Sequence, residues 1–343
     1  MPKIIILMST YNGNAYIEDQ IRSIYEQSFR DFQLVIRDDG SEPAFRKKLE
    51  ELKKQYGFRL IEGKNAGFSR SFMALLRASG DADLYAFADQ DDIWLPDKLE
   101  RAADFFNHRD KISVAGQSSD ITGTALSVDA ASDTAHFWDA AKNTFISADD
   151  SKNTAPECIP ILYHSAYDIV DSDTLKKTGH FYFPEKGYDF RRSITENHYS
   201  GFSMVINRPL RELMLRGRAE KLVYHDWWAG MIAHAMGAAF SDPAVTSLHR
   251  AHGDNVTTFS MKTRFQWLKK SLTEDTDIKK RAQEFLRCFA YDISRKDQKT
   301  LLLFAGKRYS PVKALKKAFY PKRWRPVLSS ELISRFLMLI GRM

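Results

Sequence analysis

Short apolar runs alternate with amphipathic stretches along the first hundred residues of the chain. Four largely apolar runs predict strands at 4–8, 32–36, 58–61 and 84–88, and the first of them is continuous. Between them, apolar residues recur at helical spacing and predict helices at 15–27, 44–56 and 69–78, with Ser69 capping the third. This alternation predicts an α/β fold with a mainly parallel sheet and helices on both faces.

Polar side chains follow three of these predicted strands at the point where each strand ends. The clusters lie at residues 9–11, 38–39 and 89–92. Because open α/β sheets bind ligands at the carboxyl edge of their strands, we expect the three clusters to form one site.

The last cluster places the carboxylates Asp89, Asp91 and Asp92 within four positions. Such carboxylates repel one another, and a hard divalent cation such as Mg²⁺ or Mn²⁺ relieves that repulsion. The alternative is a solvated acidic turn, with Pro96 starting the next helix.

Some classes of protein are excluded by the absence of their motifs. No G-x-G-x-x-G follows the first strand and no G-x-x-x-x-G-K-[ST] occurs in the sequence, so neither a dinucleotide fold nor a P-loop has support. The two cysteines, Cys158 and Cys288, are not at metal-ligand spacing and fit a reducing, cytoplasmic setting. No apolar run reaches the length of a signal peptide or a membrane-spanning helix.

Few elements can be predicted at 116–195, and regular patterns return after Glu196. Residues 202–206 predict a strand, and a helical pattern of apolar residues follows Asp226. Asp226 is flanked by His225, Trp227 and Trp228; aromatic walls would raise the pKa of its carboxyl, which suits a general base. The alternative is an N-cap for that helix, with the tryptophans in the core.

Four motifs in the first 110 residues resemble family 2 glycosyltransferases of the GT-A fold, most closely bacterial rhamnosyltransferases. The motifs are STYNG at 9–13, DDGS at 38–41, NAGF at 65–68 and DQDDIWLPDKL at 89–99. The resemblance implies a GT-A catalytic domain over 1–260, divided into a nucleotide-binding half (1–110) and an acceptor half (111–260).

The resemblance also implies a nucleotide site and a Mn²⁺ or Mg²⁺ cofactor. Asp39 would accept the N3–H of uracil or thymine, and either Asp38 or Asp39 could instead close the turn before Gly40. Asp91 would bind the metal, and Asp89 would contact the ribose or the metal. Asp92 would do neither, or would help to start the next helix. The remaining nucleotide contacts would come from Ser9, Thr10, Tyr11 and Asn65.

On the acceptor side, the resemblance implies that Asp226 is the catalytic base. Arg250 and His252 would meet the diphosphate, and His252 would complete the metal sphere. His249 departs from the family pattern, which leaves open which histidine does so. The other residues expected beside the sugar or the acceptor are Gly201, Phe202, His225, Trp227 and Trp228.

We therefore expect a metal-dependent, inverting glycosyltransferase. The expected donor is dTDP-L-rhamnose, with a UDP-hexose second, and the expected acceptor is a growing bacterial surface glycan or a lipid-linked saccharide. The alternatives are a sugar nucleotidyltransferase, which needs a basic Gly-rich loop absent from residues 9–14, and a nucleic-acid-binding protein that uses a basic tail.

That tail is the C-terminal region, residues 261–343. It carries 21 Lys and Arg against 7 Asp and Glu, whereas the formal net charge of the whole chain is +7. Basic residues lie among aromatics at 307–325, and 332–340 is largely apolar, which predicts a helical region that contacts the membrane surface. We expect no nucleic-acid partner, a cytoplasmic location at the inner membrane face, and a possible homodimer through 264–304.

Overall fold

The computed structural model describes residues 1–13, 15–108, 136–139, 144–147, 159–185, 187–251, 277–306 and 308–343. The strands in these ranges are β1 (Ile4–Thr10), β2 (Phe32–Asp38), β3 (Arg59–Glu62), β4 (Leu84–Ala88), β5 (Ile93–Trp94), β6 (His136–Asp139), β7 (Thr144–Ser147), β8 (Ile161–Asp171), β9 (Lys177–Phe181), β10 (Met204–Asn207) and β11 (Ala238–Ala251). The helices are α1 (Ile17–Tyr25), α2 (Pro43–Tyr56), α3 (Phe68–Ala78), α4 (Lys98–Asn107), α5 (Phe190–Thr195), α6 (Arg208–Met214), α7 (His225–Met236), α8 (Ile278–Phe289), α9 (Arg295–Phe304), α10 (Pro311–Ala318) and α11 (Leu328–Leu339).

The main sheet has the strand order β3-β2-β1-β4-β10-β8-β11-β5, with β9 paired to β8. Its first four strands are parallel, and the register places Thr10 beside Asp38 and Met8 beside Ala88. The carboxyl ends of β1, β2 and β4 therefore meet at one edge. The predicted α/β class and its parallel sheet are confirmed.

The other half of the sheet consists of β10, β8 and β11, together with the short strand β5 from the first half of the chain. β10 runs antiparallel between β4 and β8, while β11 is parallel to β8 and antiparallel to β5. β8 is 11 residues long and lies in the region where few elements were predicted. The predicted strand at 202–206 begins later than expected, because Gly201–Ser203 forms a 3₁₀ turn.

Alternate residues of β1 feed two hydrophobic clusters on opposite faces of the sheet. Ile4 and Ile6 belong to a cluster that contains residues of α1, α2 and α4. Ile5 and Leu7 belong to a second cluster that contains residues of α3, α7 and α8. Helices therefore cover both faces, as the strand–helix alternation predicted.

Two predicted helix starts are corrected. α3 begins at Phe68 with Gly67 as its N-cap residue, and no side chain caps it, so Ser69 is not the cap. Gly67 has φ of 82°, a conformation that favours glycine over residues with side chains. α4 begins at Lys98, two residues after Pro96.

The described C-terminal helices share the second cluster with the sheet. Phe285 and Phe289 of α8 lie 5.3 and 5.7 Å from the ring of Trp228 on α7, between ring centroids. Trp324, between α10 and α11, lies 5.1 Å from Phe304 of α9. The predicted domain boundary at residue 260 lies outside the described residues. In the ranges described, no helix has the length and apolar character needed to cross a bilayer.

Candidate active site

Gln90 connects the loop after β1 to the loop after β4. Its Oε1 accepts hydrogen bonds from Thr10 Oγ1 at 2.6 Å and from the Tyr11 amide at 2.8 Å, and its Nε2 donates to the Tyr11 carbonyl at 3.3 Å. A Cβ at Gly13 would lie 2.5 Å from Gln90 Oε1, so a side chain there would displace the glutamine. Gln90 is thus a positioning residue at the sheet edge, and sequence analysis assigned it no role.

Asp38 closes the turn after β2. Its Oδ2 accepts a hydrogen bond from the Ser41 amide at 3.2 Å, and its Oδ1 accepts one from Ser41 Oγ. Gly40 between them has φ of 85°, and Ser41 Oγ in turn accepts a hydrogen bond from the Asn12 amide at 2.9 Å. Asp38 therefore has the turn-closing role that the sequence left open between Asp38 and Asp39. Through Ser41 and Asn12 it also positions the loop after β1.

Asp39 holds the loop before α3. Its two oxygens accept hydrogen bonds from the amides of Ala66 and Gly67 at 2.9 and 2.8 Å, and Oδ1 also forms an ion pair with Arg37. The carboxylate is buried, so a base would reach it only at the edge where this loop meets the turn. Asn65 is exposed on that loop. Its backbone nitrogen lies so close to Gly40 that a Cβ added there would be 2.7 Å away from it.

The three residues expected to flank the base differ in exposure. Ser9 Oγ donates to Ser71 Oγ of α3 at 2.5 Å, and Thr10 is buried with its hydroxyl on Gln90. The side chain of Tyr11 is exposed at the same edge, where its ring has free surface for stacking. The nucleotide contacts of Ser9 and Thr10 stay predictions.

The three carboxylates after β4 form an acidic cluster next to a histidine of β11, and Asp92 is the buried member while Asp89 and Asp91 are partly exposed. Burial and the charges of Asp92 and Asp91 raise the pKa of Asp89 well above its ordinary value. Asp92 Oδ1 lies 2.7 Å from His249 Nδ1. Burial disfavours the imidazolium, but the charge of Asp92, its hydrogen bond to the ring and the charges of Asp89 and Asp91 together outweigh it and raise the pKa of His249 to about 9. Asp92 is thus paired with a histidine and does not cap α4, whose N-cap residue is Asp97.

These residues fit a hard divalent cation. Asp92 Oδ2 is buried without a hydrogen-bond partner in the described part of the chain, and like charges crowd Asp89. Two or three carboxylates and an imidazole are donors suited to Mn²⁺. Among the described residues, no group of three such side chains is already drawn together around one metal position. His252, the predicted histidine ligand, lies outside the described residues.

Asp226 is the second residue of α7 and is buried. Its Oδ2 accepts a hydrogen bond from Asn197 Nδ2 at 3.0 Å, its Oδ1 accepts one from the Trp227 amide at 2.7 Å, and the Gly201 amide also hydrogen-bonds to the carboxylate. Burial raises the pKa of Asp226 to about 6, and the hydrogen bond from Asn197 opposes that rise. The N-cap alternative is wrong, because Tyr224 occupies that position.

Asp226 and the acidic cluster lie close enough for their charges to interact. The charge of Asp226 contributes to the raised pKa of Asp89, after burial and the charges of Asp92 and Asp91. Burial raises the pKa of Tyr167 on β8, and the charges of Asp92, Asp226 and Asp89 raise it further. Asp226, whose pKa is raised, therefore lies near the three aspartates that follow β4, where the parallel strands end.

Gly201 and Phe202 pack against the histidines next to the candidate base and the acidic cluster. A Cβ at Gly201 would lie 2.7 Å from His225 Nε2, so glycine is required for the backbone to approach this closely. Phe202 is buried and stacks on His249 with 4.9 Å between ring centroids and 7° between the planes. Tyr167 packs against Phe202 edge-on and hydrogen-bonds to Ser200 Oγ at 3.0 Å.

Of the three aromatic residues expected at the acceptor, the structure packs two inside the protein and leaves the third half-buried. Trp228 is 0% exposed and donates from Nε1 to the Met214 carbonyl at 3.2 Å, so its predicted acceptor contact is corrected to core packing. His225 is also buried and stacks on Phe72 at 4.2 Å, which corrects it to a packing role. Trp227 is half-buried, and the guanidinium of Arg281 from α8 lies 3.3 Å from its ring centroid.

Arg250 is buried near the end of β11 and is directed toward α1. Its Nη2 donates to Asp19 Oδ2 at 2.8 Å, and its guanidinium lies 4.7 Å from the ring centroid of Tyr16. In the described structure this arginine therefore ties β11 to α1, and its contact with a diphosphate stays a prediction.

Sequence reasoning assigned no role to Gln90, Asn197 and Ser200, considered Tyr167 only as one of several aromatics that could stack on a sugar, and left the role of His249 open. Asn197 and Ser200 lie in the segment between α5 and β10, and Tyr167 lies on β8, so their partners are distant in sequence. The neighbouring Tyr199 contacts Glu185 and His234 instead, at 3.1 and 2.6 Å. The one usable signal was the HYSG run at 198–201, whose polar residues fall just before a predicted strand.

Comparison with known proteins gives a family match and partial relatives. Residues 5–160 match the family described as Glycosyl transferase family 2. An uncharacterised glycosyltransferase of Nostoc sp. is 31% identical over 136 residues, which cover 38% of this chain and 41% of that protein. The dTDP-rhamnosyl transferase RfbG of Shigella flexneri is 36% identical over 106 residues, which cover 28% of this chain and 36% of that protein.

Neither alignment reaches half the length of the curated relative. Among solved structures, S. aureus TarS 1-349 in complex with UDP-GlcNAc is similar, with a TM-score of 0.50. The match covers 99% of this chain and 91% of that one at 11% identity, so it shows a shared fold and nothing further.

Proposed function

Because the chain carries a family 2 glycosyltransferase domain, we propose that it transfers a sugar from a nucleoside diphosphate to an acceptor hydroxyl, with inversion at the anomeric carbon. The observation that carries the proposal is the placement of Asp226, a buried carboxylate with a pKa of about 6, beside the cluster of Asp89, Asp91 and Asp92. Displacement of a diphosphate requires a base for the acceptor hydroxyl and positive charge at the leaving group, and these carboxylates would supply the latter by holding a divalent cation.

In the proposed reaction, Asp226 removes the proton of the acceptor hydroxyl. The acceptor oxygen attacks the anomeric carbon from the face opposite the diphosphate, a new carbon–oxygen bond forms, and the bond to the phosphate oxygen breaks. The electron pair leaves with the diphosphate. Hydrogen bonds from Asn197 and the Gly201 amide hold the carboxylate in place while it accepts the proton.

Asp91 and Asp89 are the proposed metal ligands, and the pair of Asp92 and His249 lies directly beside them. A bound Mn²⁺ or Mg²⁺ would neutralise the charge of the leaving diphosphate. On the nucleotide side, the exposed ring of Tyr11 is proposed to stack on the base, while Gln90 holds its loop.

The proposed donor is dTDP-L-rhamnose, since the relative RfbG is named a dTDP-rhamnosyl transferase, and a UDP-hexose is the second candidate. The proposed acceptor is a bacterial surface glycan or a lipid-linked saccharide, met at the inner face of the cell membrane. The choice between the two donors is tested by nucleotide binding.

The test has two parts. Thermal unfolding with Mn²⁺ and a panel of UDP, dTDP, GDP, CDP and ADP should show a metal-dependent rise in the melting temperature with dTDP or UDP. Release of the nucleoside diphosphate from the matching sugar donor should then be lost in Asp226→Ala, while the nucleotide-induced rise is kept. Asp81→Asn, at an exposed carboxylate, is the control. A folded protein stabilised by no nucleotide would overturn the proposal.

A further inference from the structure

We propose that α10 and α11 form a docking surface for an anionic lipid bilayer, with their exposed apolar side chains in the interface and basic side chains around them. The surface is made of residues other than those around Asp226 and the acidic cluster, and binding to it requires neither donor nor acceptor. It can therefore be tested without any assay of sugar transfer.

α10 has an exposed apolar stripe. Its members are each more than half exposed: Val312, Leu315 and Phe319, the last directly after the end of the helix. Their spacing of i, i+3, i+7 places them on one face. Ala314 and Ala318 on the opposite side are buried. The helix therefore packs on the protein through small residues and presents its larger apolar side chains to the outside.

α11 repeats this arrangement over three turns. Leu328, Leu332 and Phe336 are each more than half exposed and are spaced i, i+4, i+8, again on one face. Leu337 and Met338, on the other face, are fully buried. Large apolar residues that recur on an exposed face are unusual for a surface that meets only water.

The two helices belong to one unit. Arg335 of α11 donates to the carbonyl of Ala318 at 2.6 Å and to that of Tyr320 at 3.1 Å. At the other end, the Tyr309 hydroxyl donates to the Leu339 carbonyl at 2.8 Å. These bonds fix the two exposed stripes relative to each other.

The charge of this unit matches an anionic surface. Residues 308–343 contain nine Lys and Arg and a single acidic side chain, Glu331. Glu331 is buried and paired with Arg335 at 2.6 Å, so this segment exposes no side-chain carboxylate. Lys316 on α10 and Lys322 in the connection to α11 are exposed.

A basic cavity of about 70 Å³ adjoins the same unit. Tyr309 and Gly341 line it together with five basic residues, Lys279, Arg308, Lys313, Lys317 and Arg342. Positive side chains that line a small cavity beside an apolar stripe suit the phosphate groups of lipids whose acyl chains meet the stripe.

Several observations favour a bilayer over a protein partner. The stripes present large aliphatic and aromatic side chains next to an excess of basic over acidic side chains, the combination that binds anionic interfaces. No described helix can cross a membrane, so the contact would lie in the plane of the surface. A second copy of this chain would bring equal positive charge against the same face, which opposes association.

The experiment is co-sedimentation of the full chain with vesicles of phosphatidylcholine alone or with about 30% phosphatidylglycerol. We expect binding to the anionic vesicles only, weakened by added salt because surface charges are screened. Leu332→Ser combined with Phe336→Ser, and Lys316→Glu combined with Lys322→Glu, should each weaken binding at least about tenfold.

Matched controls separate this surface from general changes in polarity or charge. Tyr291→Ser removes a fully exposed aromatic between α8 and α9, and Lys47→Glu with Lys54→Glu reverses two exposed charges on α2. Neither control should alter vesicle binding, and circular dichroism should show all variants folded.

Two outcomes overturn the proposal. One is a folded wild-type chain that does not bind anionic vesicles, and the other is equal loss of binding in the controls. If analytical ultracentrifugation instead shows a dimer that the Phe336 variant dissociates, while no vesicle binding is seen, the face is a contact between copies. Nucleotide binding in the same samples is an independent readout, so a failure here leaves the proposed transfer reaction untouched.

Discussion

Asp226 lies in an environment that disfavours its own charged form. Burial raises its pKa from 3.8 to about 6, so the folded chain holds this proton more tightly than the unfolded chain does. The folded state is therefore favoured at low pH, and this contribution is lost as the pH rises through about 6. A shift of about two pKa units corresponds to at most about 3 kcal/mol of lost stability at neutral pH.

Asp226→Asn should consequently stabilise the protein while it removes the proposed base. We expect the free energy of unfolding in urea to rise by about 1–3 kcal/mol at about pH 8, and the gain to vanish near pH 4. The lower end applies if the amide loses its hydrogen bond to Asn197. A variant less stable than wild type at pH 8 would contradict the burial argument.

Gln90→Ala should loosen the loop after β1. Its hydrogen bonds to Thr10 and Tyr11 would be lost, at a cost of about 1 kcal/mol each in local order. We expect the dissociation constant of the stabilising nucleotide to rise about tenfold, measured by calorimetry, with little change in melting temperature. Gln55→Ala, at an exposed position of α2, is the control and should bind as wild type does. If the Gln90→Ala variant bound the nucleotide as tightly as wild type does, Gln90 would not be a positioning residue.

At the scale of elements, α7 is held from outside by α8. Trp228 of α7 packs against the rings of Phe285 and Phe289 of α8. The guanidinium of Arg281, also on α8, stacks on the ring of Trp227. The helix that carries Asp226 thus depends on residues more than 50 positions later in the chain.

Phe289→Ala should therefore destabilise the whole protein by about 3–5 kcal/mol, because it opens a cavity under α7. The measurement is the free energy of unfolding in urea, and Tyr291→Ala, at an exposed position two residues on, should change it by less than about 0.5 kcal/mol. A small effect of Phe289→Ala would mean that the C-terminal helices stabilise themselves independently of the sheet.

The parallel half of the fold could be predicted because its signals are local. β1, β2 and β4 are built on short, largely apolar runs, and α1 and α2 have clear apolar faces. β8 could not be predicted, because it mixes aromatic, polar and apolar residues and is stabilised by β10 and β11, which are distant in sequence.

The same limit applies to the site. The motifs that follow β1, β2 and β4 could be located because strand ends share an edge. The pairing of Asp92 with His249 joins residues 157 positions apart, and no local pattern indicates it. Trp228 was misassigned because an aromatic beside a candidate base looks the same in sequence whether it faces the acceptor or the core.

For the whole molecule, the acidic cluster predicts how stability responds to metal. Asp89 and Asp92 hold protons more tightly than ordinary aspartates do, and a metal must displace those protons to bind. We expect Mn²⁺ to raise the melting temperature, and the rise to be larger at about pH 8 than at about pH 6. Chelation with EDTA should reverse it.

Asp91→Asn should abolish the metal response, while Asp81→Asn keeps it. A response that survives in Asp91→Asn, or one that is independent of pH, would place the metal away from this cluster.

The two hydrophobic clusters become complete at different times as the ribosome makes the chain. The face that receives Ile4 and Ile6 is covered largely by α1, α2 and α4, which are synthesised with the first strands. The face that receives Ile5 and Leu7 awaits α7, α8 and Trp324. Until α7, α8 and Trp324 have been synthesised, a nascent chain would therefore carry one largely covered face and one apolar face covered only in part, by α3. Such a chain would be a client for chaperones that shield apolar surfaces.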